Sequence, residues 1–397
     1  MTRPHHVPAR SFALPALVSR SRMHGLTLVE LMVGLLLGLL TVLVITQILA
    51  TSESRKRTIA SGNDAQINGA LAAYTLQRDI AMAGYGLAIK PDAMGCPLQG
   101  TFKLNASATA ETFASTLAPV EITDGASGAP DTVTILQSRT AGFSVPVTVT
   151  AQSSDYFTVQ SSLGVKAGDL MVAIPDPWGV SAPCRLFSVT DDGAGTSSNT
   201  GLWALRVPHV EGALPSWNNN SALSAITASY LLNLGGLGYS SYSISSNLAL
   251  QITTRTATAA GSTSELFPNI VNLQALYGKD TNNDGVVDTY DSSTPTTSAG
   301  WQQVLAIRIA VVARSTQYAV RSTQYEPIKK ADETDAVTQA DPLWDLGSAT
   351  VTGAAACHDG SKCLSIKVSH VPDWKHYRYR VYDTIIPLRN VLWNSAS

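Results

Sequence analysis

From Leu26 to Ala50 the chain reads LTLVELMVGLLLGLLTVLVITQILA, a run in which Glu30 is the one charged side chain. As a helix rising about 1.5 Å per residue it would be roughly 37 Å long, enough to cross a hydrocarbon core of about 30 Å. The apolar core of a cleavable secretory signal is only about 7–15 residues long, so this run outlasts one. Ala50-Thr51-Ser52 loosely fits a signal-peptidase site and supplies the competing reading. Apolar positions then thin to Ile59, Ile67, Leu71, Tyr74 and Ile80, near-helical spacing with no proline before Pro91. The pattern predicts one long helix from about Leu26 to about Met82, broken at Gly84-Tyr85-Gly86 and stopped by Pro91. Its second half would pack on a soluble domain. Gly34 and Gly38 form a small-xxx-small pair suited to close helix contact.

Past Pro91 the period changes to short β-branched runs between Gly, Ser, Asn and Asp clusters. Strands are expected at Thr132–Gln137, Val145–Thr150, Tyr156–Gln160, Leu170–Ile174, Leu186–Thr190 and Leu202–Val207. Further ones are expected at Leu248–Thr253, Val304–Ala313, Leu364–Val368 and Tyr377–Ile386. Asp191–Gly201 and Ser240–Asn247 read as loops. The expected class is α+β: a long N-terminal transmembrane and amphipathic helix followed by a large, mainly antiparallel β domain. The division it implies is a leader over 1–25, a membrane half of the helix over 26–50, a periplasmic half over 51–85 and a globular domain over 86–397.

Charge adds an orientation. Met1 to Gly25 carries Arg3, Arg10, Arg20 and Arg22 and no acidic residue, which favours a cytoplasmic N-terminus and a periplasmic domain. Arg55, Lys56 and Arg57 on the far flank weaken that asymmetry. A formal net charge of −2 argues against a general nucleic-acid binder. Four cysteines in an exported chain suggest two disulfides, and three pairings are formally open. Cys357 and Cys363 flank a turn-prone Asp359-Gly360 and are expected to close a tight loop, leaving Cys96 and Cys184 to pair by elimination. A zinc site recruiting His358 is the weaker reading, because two cysteines so spaced match no usual zinc pattern.

Glu30 is costly where it stands: an acidic side chain at the centre of a membrane helix costs about 2.5–3.5 kcal/mol on insertion scales, less near its end. It either snorkels to the interface or awaits a cationic partner. Gly25-Leu26-Thr27-Leu28-Val29-Glu30-Leu31 resembles the type IV prepilin processing motif, with Leu26 where Phe is usual. The resemblance implies that a prepilin peptidase cuts after Gly25 and N-methylates Leu26, and that Glu30 meets the N-terminal amine of a neighbouring subunit. A carboxylate and an ammonium in low dielectric gain much by pairing.

Four further blocks sharpen the likeness: RDIAMAGYG (Arg78–Gly86), LQALYGKDTNNDGVVDTYD (Leu273–Asp291), WQQVLAIRIAVVARS (Trp301–Ser315) and YRYRVYDTIIPLRN (Tyr377–Asn390). Together they resemble the PilW family of minor pilins. The resemblance implies a complex that starts pilus assembly and sits at the pilus tip. Its implied partners are other minor pilins, the major pilin, a tip adhesin, the prepilin peptidase and the inner membrane.

Asp280, Asn282, Asp284, Val286, Asp288 and Asp291 fall at the spacing of a twelve-residue calcium loop, with Val286 offering its carbonyl and Gly285 the sharp turn. The competing reading is a polar Asn/Asp/Gly hairpin turn without metal. No cofactor is required; calcium is the candidate ion. Trp374-Lys375-His376-Tyr377-Arg378-Tyr379-Arg380 interleaves aromatic and basic residues, which suits an amphipathic edge strand better than base stacking. No Ser/His/Asp spacing or phosphate-binding glycine loop stands out, so no enzyme is expected. The expected function is a structural minor pilin. The alternatives are a type II secretion minor pseudopilin and a membrane-anchored, calcium-dependent adhesin.

Overall fold

The computed structural model describes residues 27–87, 89–140, 145–190, 205–212, 214–316 and 340–391. The chain divides into two units, 1–55 and 56–397, with an N-terminal helix α1 spanning Leu28–Ala81. Thr27 starts the helix: its carbonyl accepts the Leu31 amide at 3.1 Å, and its hydroxyl accepts the Glu30 amide at 3.3 Å. In the first unit, Thr41 and Thr46 turn their hydroxyls onto the carbonyls of Gly38 and Leu43, so these polar groups are satisfied within the helix. The stretch Leu28–Glu53 is long and apolar enough to cross a membrane, and none of it is buried within the chain. Gly34 and Gly38 have no close neighbour among the described residues.

In the second unit α1 buries Ala65, Ala72, Leu76 and Ile80, with Gly69 on the same line of three- and four-residue steps. The expected face was different: Ile67, Leu71 and Tyr74 are 49%, 45% and 63% exposed. At 3.6 residues per turn those three lie opposite the buried line, so among the described side chains of the expected stripe Ile80 alone joins the core. Closeness decides the face. A Cβ at Gly69 would run into the ring of Tyr382, so the helix presents its smallest side chains to the sheet. The helix ends where expected. Gly84 takes φ +76° and gives its amide to the Leu136 carbonyl at 2.9 Å, and Gly86 takes φ +75°.

The β part is four sheets. An eight-stranded sheet runs, in spatial order, Glu111–Thr116 (β2), Pro97–Phe102 (β1), Cys184–Ser188 (β8), Leu170–Pro175 (β7), Ala228–Gly235 (β10), Val147–Gln152 (β5), Tyr156–Val159 (β6) and Arg206–Pro208 (β9). Within it β1 and β8 run parallel; the other pairs are antiparallel. A five-stranded sheet follows the order Ala259–Pro268 (β13), Ala249–Thr256 (β12), Gly238–Ile244 (β11), Thr132–Gln137 (β4) and Val120–Thr123 (β3). A four-stranded sheet is Thr289–Asp291 (β15), Ile270–Lys279 (β14), Val304–Arg314 (β16) and Tyr379–Pro387 (β20). The last sheet is Leu343–Asp345 (β17), Lys362–Ser365 (β19) and Ala355–Ala356 (β18). One-turn helices Asn220–Ser224 (α2) and Ser298–Gln302 (α3) and three short 3-10 turns, at Pro91–Ala93, Ala126–Gly128 and Trp374–His376, complete the described elements.

Ser240–Asn247, expected as a loop, is instead mostly β11, a central strand paired to β12 and β4. Its serines are not turn-formers here: the Ser241 and Thr134 hydroxyls bond across the pair at 3.0 Å, and Tyr242 is buried. The expected strand at Leu202–Val207 falls partly outside the described residues, and Asp191–Gly201 lies wholly outside them. Both disulfides form, Cys96–Cys184 at the start of β1 and β8 and Cys357–Cys363 across the turn between β18 and β19.

The main core lies where α1 meets the five- and four-stranded sheets. Leu76 and Ile80 pack there with Val133, Tyr242, Ile307, Ile309 and Ile386. Each fully buried aliphatic side chain contributes about 1.5–3 kcal/mol. The other face of β16 sends Ala310 and Val312 into a second core with Trp344, Ile366 and Val368. That burial on both faces explains why β16 reads as an unbroken apolar run.

Candidate functional site

Gly25 and Leu26, the expected cleavage and methylation positions, lie outside the described residues. Glu30 stands exposed in the first turn of α1, at the positive end of the helix dipole. The Thr27-x-x-Glu30 spacing is that of a capping box, a local signal that the sequence reading passed over. One of its two bonds is present, from the Glu30 amide to the Thr27 hydroxyl. Glu30 therefore has a helix-starting context of its own, besides any pairing with another chain.

Within the second unit, α1 is fastened by side chains that arrive from far along the sequence. Tyr242 of β11 donates its hydroxyl to Asp79 Oδ2 at 2.5 Å, while Arg78 pairs with the other oxygen of that carboxylate at 3.0 Å. Burial and the neighbouring Asp79 carboxylate both push the Tyr242 hydroxyl upward from its ordinary pKa, so it stays a donor. Tyr382 of β20 lies over Gly69 and donates to the Gln66 carbonyl at 3.1 Å. Asn68 reaches the Pro268 carbonyl at 3.3 Å. Asn390, just past β20, donates to the carbonyls of Met82 and Ala83 at 3.2 and 3.0 Å, satisfying two acceptors that the helix end leaves open.

An ion pair between a buried guanidinium and a part-exposed carboxylate locks the sheets that hold this helix. Arg308 of β16 is 6% exposed and meets both oxygens of Asp383 on β20, at 3.0 and 2.5 Å. Its remaining nitrogen donors reach the carbonyls of Leu346 and Asp345, each at 3.2 Å, tying in the three-stranded sheet. The sequence reading missed the pair. Its signal was an Arg in the middle of an unbroken apolar strand, a buried charge that needs a partner.

The Asp/Asn loop joins β14 to β15, and its acidic groups are turned to local donors. Asp280 is buried and accepts the amides of Asp284 and Gly285 at 3.2 and 2.7 Å. Asp284 accepts the Val286 amide at 2.8 Å, and Asn282 accepts the Asp284 amide at 2.9 Å. Asp288 accepts the amide and hydroxyl of Thr281 at 2.7 and 2.8 Å; these bonds, the hydroxyl first, hold its carboxyl below the usual range. Asp291 is bound by Lys279 at 2.6 Å and by the Ser293 amide at 2.8 Å. The candidate ligands share one hydrogen-bonded loop, in which the Asn282 side-chain amide also donates to Asp284 and Asp288 at 3.1 and 3.4 Å. Among the described residues, Cys357, His358 and Cys363 are the one His/Cys/Asp/Glu group close enough for a shared ion, and those two sulfurs are already bonded to each other.

The aromatic and basic segment Trp374–Arg380 is a short turn followed by the start of β20, an edge strand. His376 is buried, the Arg314 guanidinium stacks on Tyr377 with its carbon 4.5 Å from the ring centre, and Tyr379 donates to the Trp374 carbonyl at 2.7 Å. Its rings are spent on packing.

No curated protein and no solved structure matches the chain. A family model described as Type IV Pilus-assembly protein W matches residues 240–390. The match runs from β11 to Asn390, so it contains Tyr242, Tyr382 and Asn390, which grip the helix, and the Arg308–Asp383 pair. Over that segment the chain is similar to the PilW family, and the match supports a place in type IV pilus assembly.

Proposed function

We propose that this pilus-assembly protein is a minor pilin, made as a prepilin, cut after Gly25 and N-methylated on Leu26. Before assembly it stands in the inner membrane with its globular part in the periplasm. It then joins other minor pilins, the major pilin and a tip adhesin in the complex that initiates the pilus. Its role is structural rather than catalytic. The observation that carries this reading is one continuous helix, Leu28–Ala81, whose first part is apolar and wholly uncovered while its second part is gripped by the family-matched strands. An apolar run of that size needs lipid or other subunits around it. The pilus-assembly match favours this role over a type II secretion pseudopilin or a free-standing adhesin.

The test is the mature N-terminus. Mass spectrometry of the membrane-extracted chain should find N-methyl-Leu26, and Gly25→Val should leave the full-length precursor. A mature terminus near Glu53 would instead mark a removed signal segment and sink the pilin reading.

A further inference from the structure

At the end of α1 lies a cavity of about 670 Å³ that none of the anchoring contacts fills. Its apolar side is Ala81, Met82 and Tyr85, and Arg139 and Arg389 line it as well. Met82 and Tyr85 are 53% and 51% exposed, a poor use of such side chains in the isolated chain. Neither guanidinium has a hydrogen-bond or ion-pair partner among the described residues, whereas Arg78, Arg255 and Arg308 are paired with carboxylates. Both arginines sit on fixed backbone. The Arg139 amide bonds the Leu234 carbonyl at 2.9 Å, and Arg389 precedes Asn390, which is fastened to the helix end. Rigid backbone thus holds two free cations beside an apolar hollow of the size that ligand sites usually have.

We propose that this cavity docks a peptide segment of a partner protein in which a carboxylate stands beside an apolar side chain. Arg139 and Arg389 would take the carboxylate, and Met82 and Tyr85 the apolar group. Guanidinium forks match carboxylate geometry, and their charge-assisted bonds are stronger than neutral ones. Met, Tyr and Arg are the residue types enriched where proteins meet proteins, which selects a peptide over a small metabolite. The proposal does not rest on the pilus reading, since it needs only the second unit as folded.

The experiment uses the full-length chain in detergent and fluorescein-labelled hexapeptides of leucine, tyrosine and glutamate, with glutamine counterparts and laurate as a competitor. Anisotropy should report binding of the acidic peptides that weakens with salt, and little binding of the glutamine set. Arg139→Gln with Arg389→Gln should lose roughly tenfold or more in affinity, about 1.4 kcal/mol. Both positions are exposed, and an unchanged melting curve would certify the fold of the variant. Equal binding of the two peptide sets, equal binding by the variant, or no binding at millimolar peptide would each overturn the proposal. Laurate binding more tightly than any peptide would reassign the cavity to an acyl chain and overturn it too.

Discussion

Asp131 is the side chain whose charge state the fold alters most clearly. It is 1% exposed and accepts the amides of Gly125 and Ala275 at 2.9 and 2.8 Å, yet burial still pushes its carboxyl up to about 7. Between the ordinary carboxylate range and about pH 7 the native state holds a proton that the unfolded chain has lost. The contribution of this group to stability is therefore full at low pH, falls as pH rises through that window and levels off above it. Urea unfolding at a series of pH values should show this slope, and Asp131→Asn should flatten it between pH ~4 and ~7. Identical slopes in the two proteins would mean that Asp131 titrates normally. Arg308 makes a different prediction, because removing it leaves the carbonyls of Leu346 and Asp345 without their donor, while the part-exposed Asp383 carboxylate can turn to water. Arg308→Ala should cost about 2 kcal/mol in urea unfolding, and Asp383→Asn distinctly less. If the single variant lost under about 1 kcal/mol, the pair would be behaving as a solvent-exposed one.

At the scale of elements, the Asp/Asn loop is ordered by its own amides. The melting temperature of the detergent-solubilised chain is therefore expected to be the same with chelator and with millimolar calcium, the range in which such extracellular sites bind, about 10⁻⁴–10⁻³ M. Asp288→Ala should lower it without any ion, since that carboxylate holds the Thr281 amide and hydroxyl. A calcium-dependent rise that Asp284→Ala removes would show that the loop rearranges into an ion site. The spacing in the sequence could not separate these outcomes, because the same Asp and Asn residues serve a turn or a metal equally well. Other elements were plainer. The unbroken apolar run of β16 announced a strand covered on both faces, and the glycines after Ala81 announced the helix end. The face of the helix was hidden: hydrophobicity points to Ile67, Leu71 and Tyr74, but close approach to Tyr382 selects Ala65, Gly69 and Ala72. β11 was hidden too, since its Ser and Tyr sequence lacks a clean two-residue alternation and its value lies in partners from other strands. The Cys-rich turn was legible from local spacing alone, whereas the capping box at Thr27 and the Arg308–Asp383 pair needed only attention to lone polar residues.

Across the whole molecule, the second half of α1 and the inner strands share one core. Hydrogen exchange should therefore find the amides of Ala72–Ile80 protected to the same degree as those of β16, with the exposed edge strand β13 exchanging sooner. Helix amides that exchange well before β16 would show that the two open separately. The fastening of this helix also carries a consequence for how the chain is made. The contacts from Tyr382 and Asn390 to the helix span 316 and 308 residues of sequence. A ribosome thus releases the helix first and these clasps 316 and 308 residues later. Until then Leu76 and Ile80 have no finished sheet to lie on, and the small-residue line is open to wrong partners. A copy that stops short of β20 therefore keeps an uncovered helix, the kind of exposed apolar surface that chaperones and proteases act on.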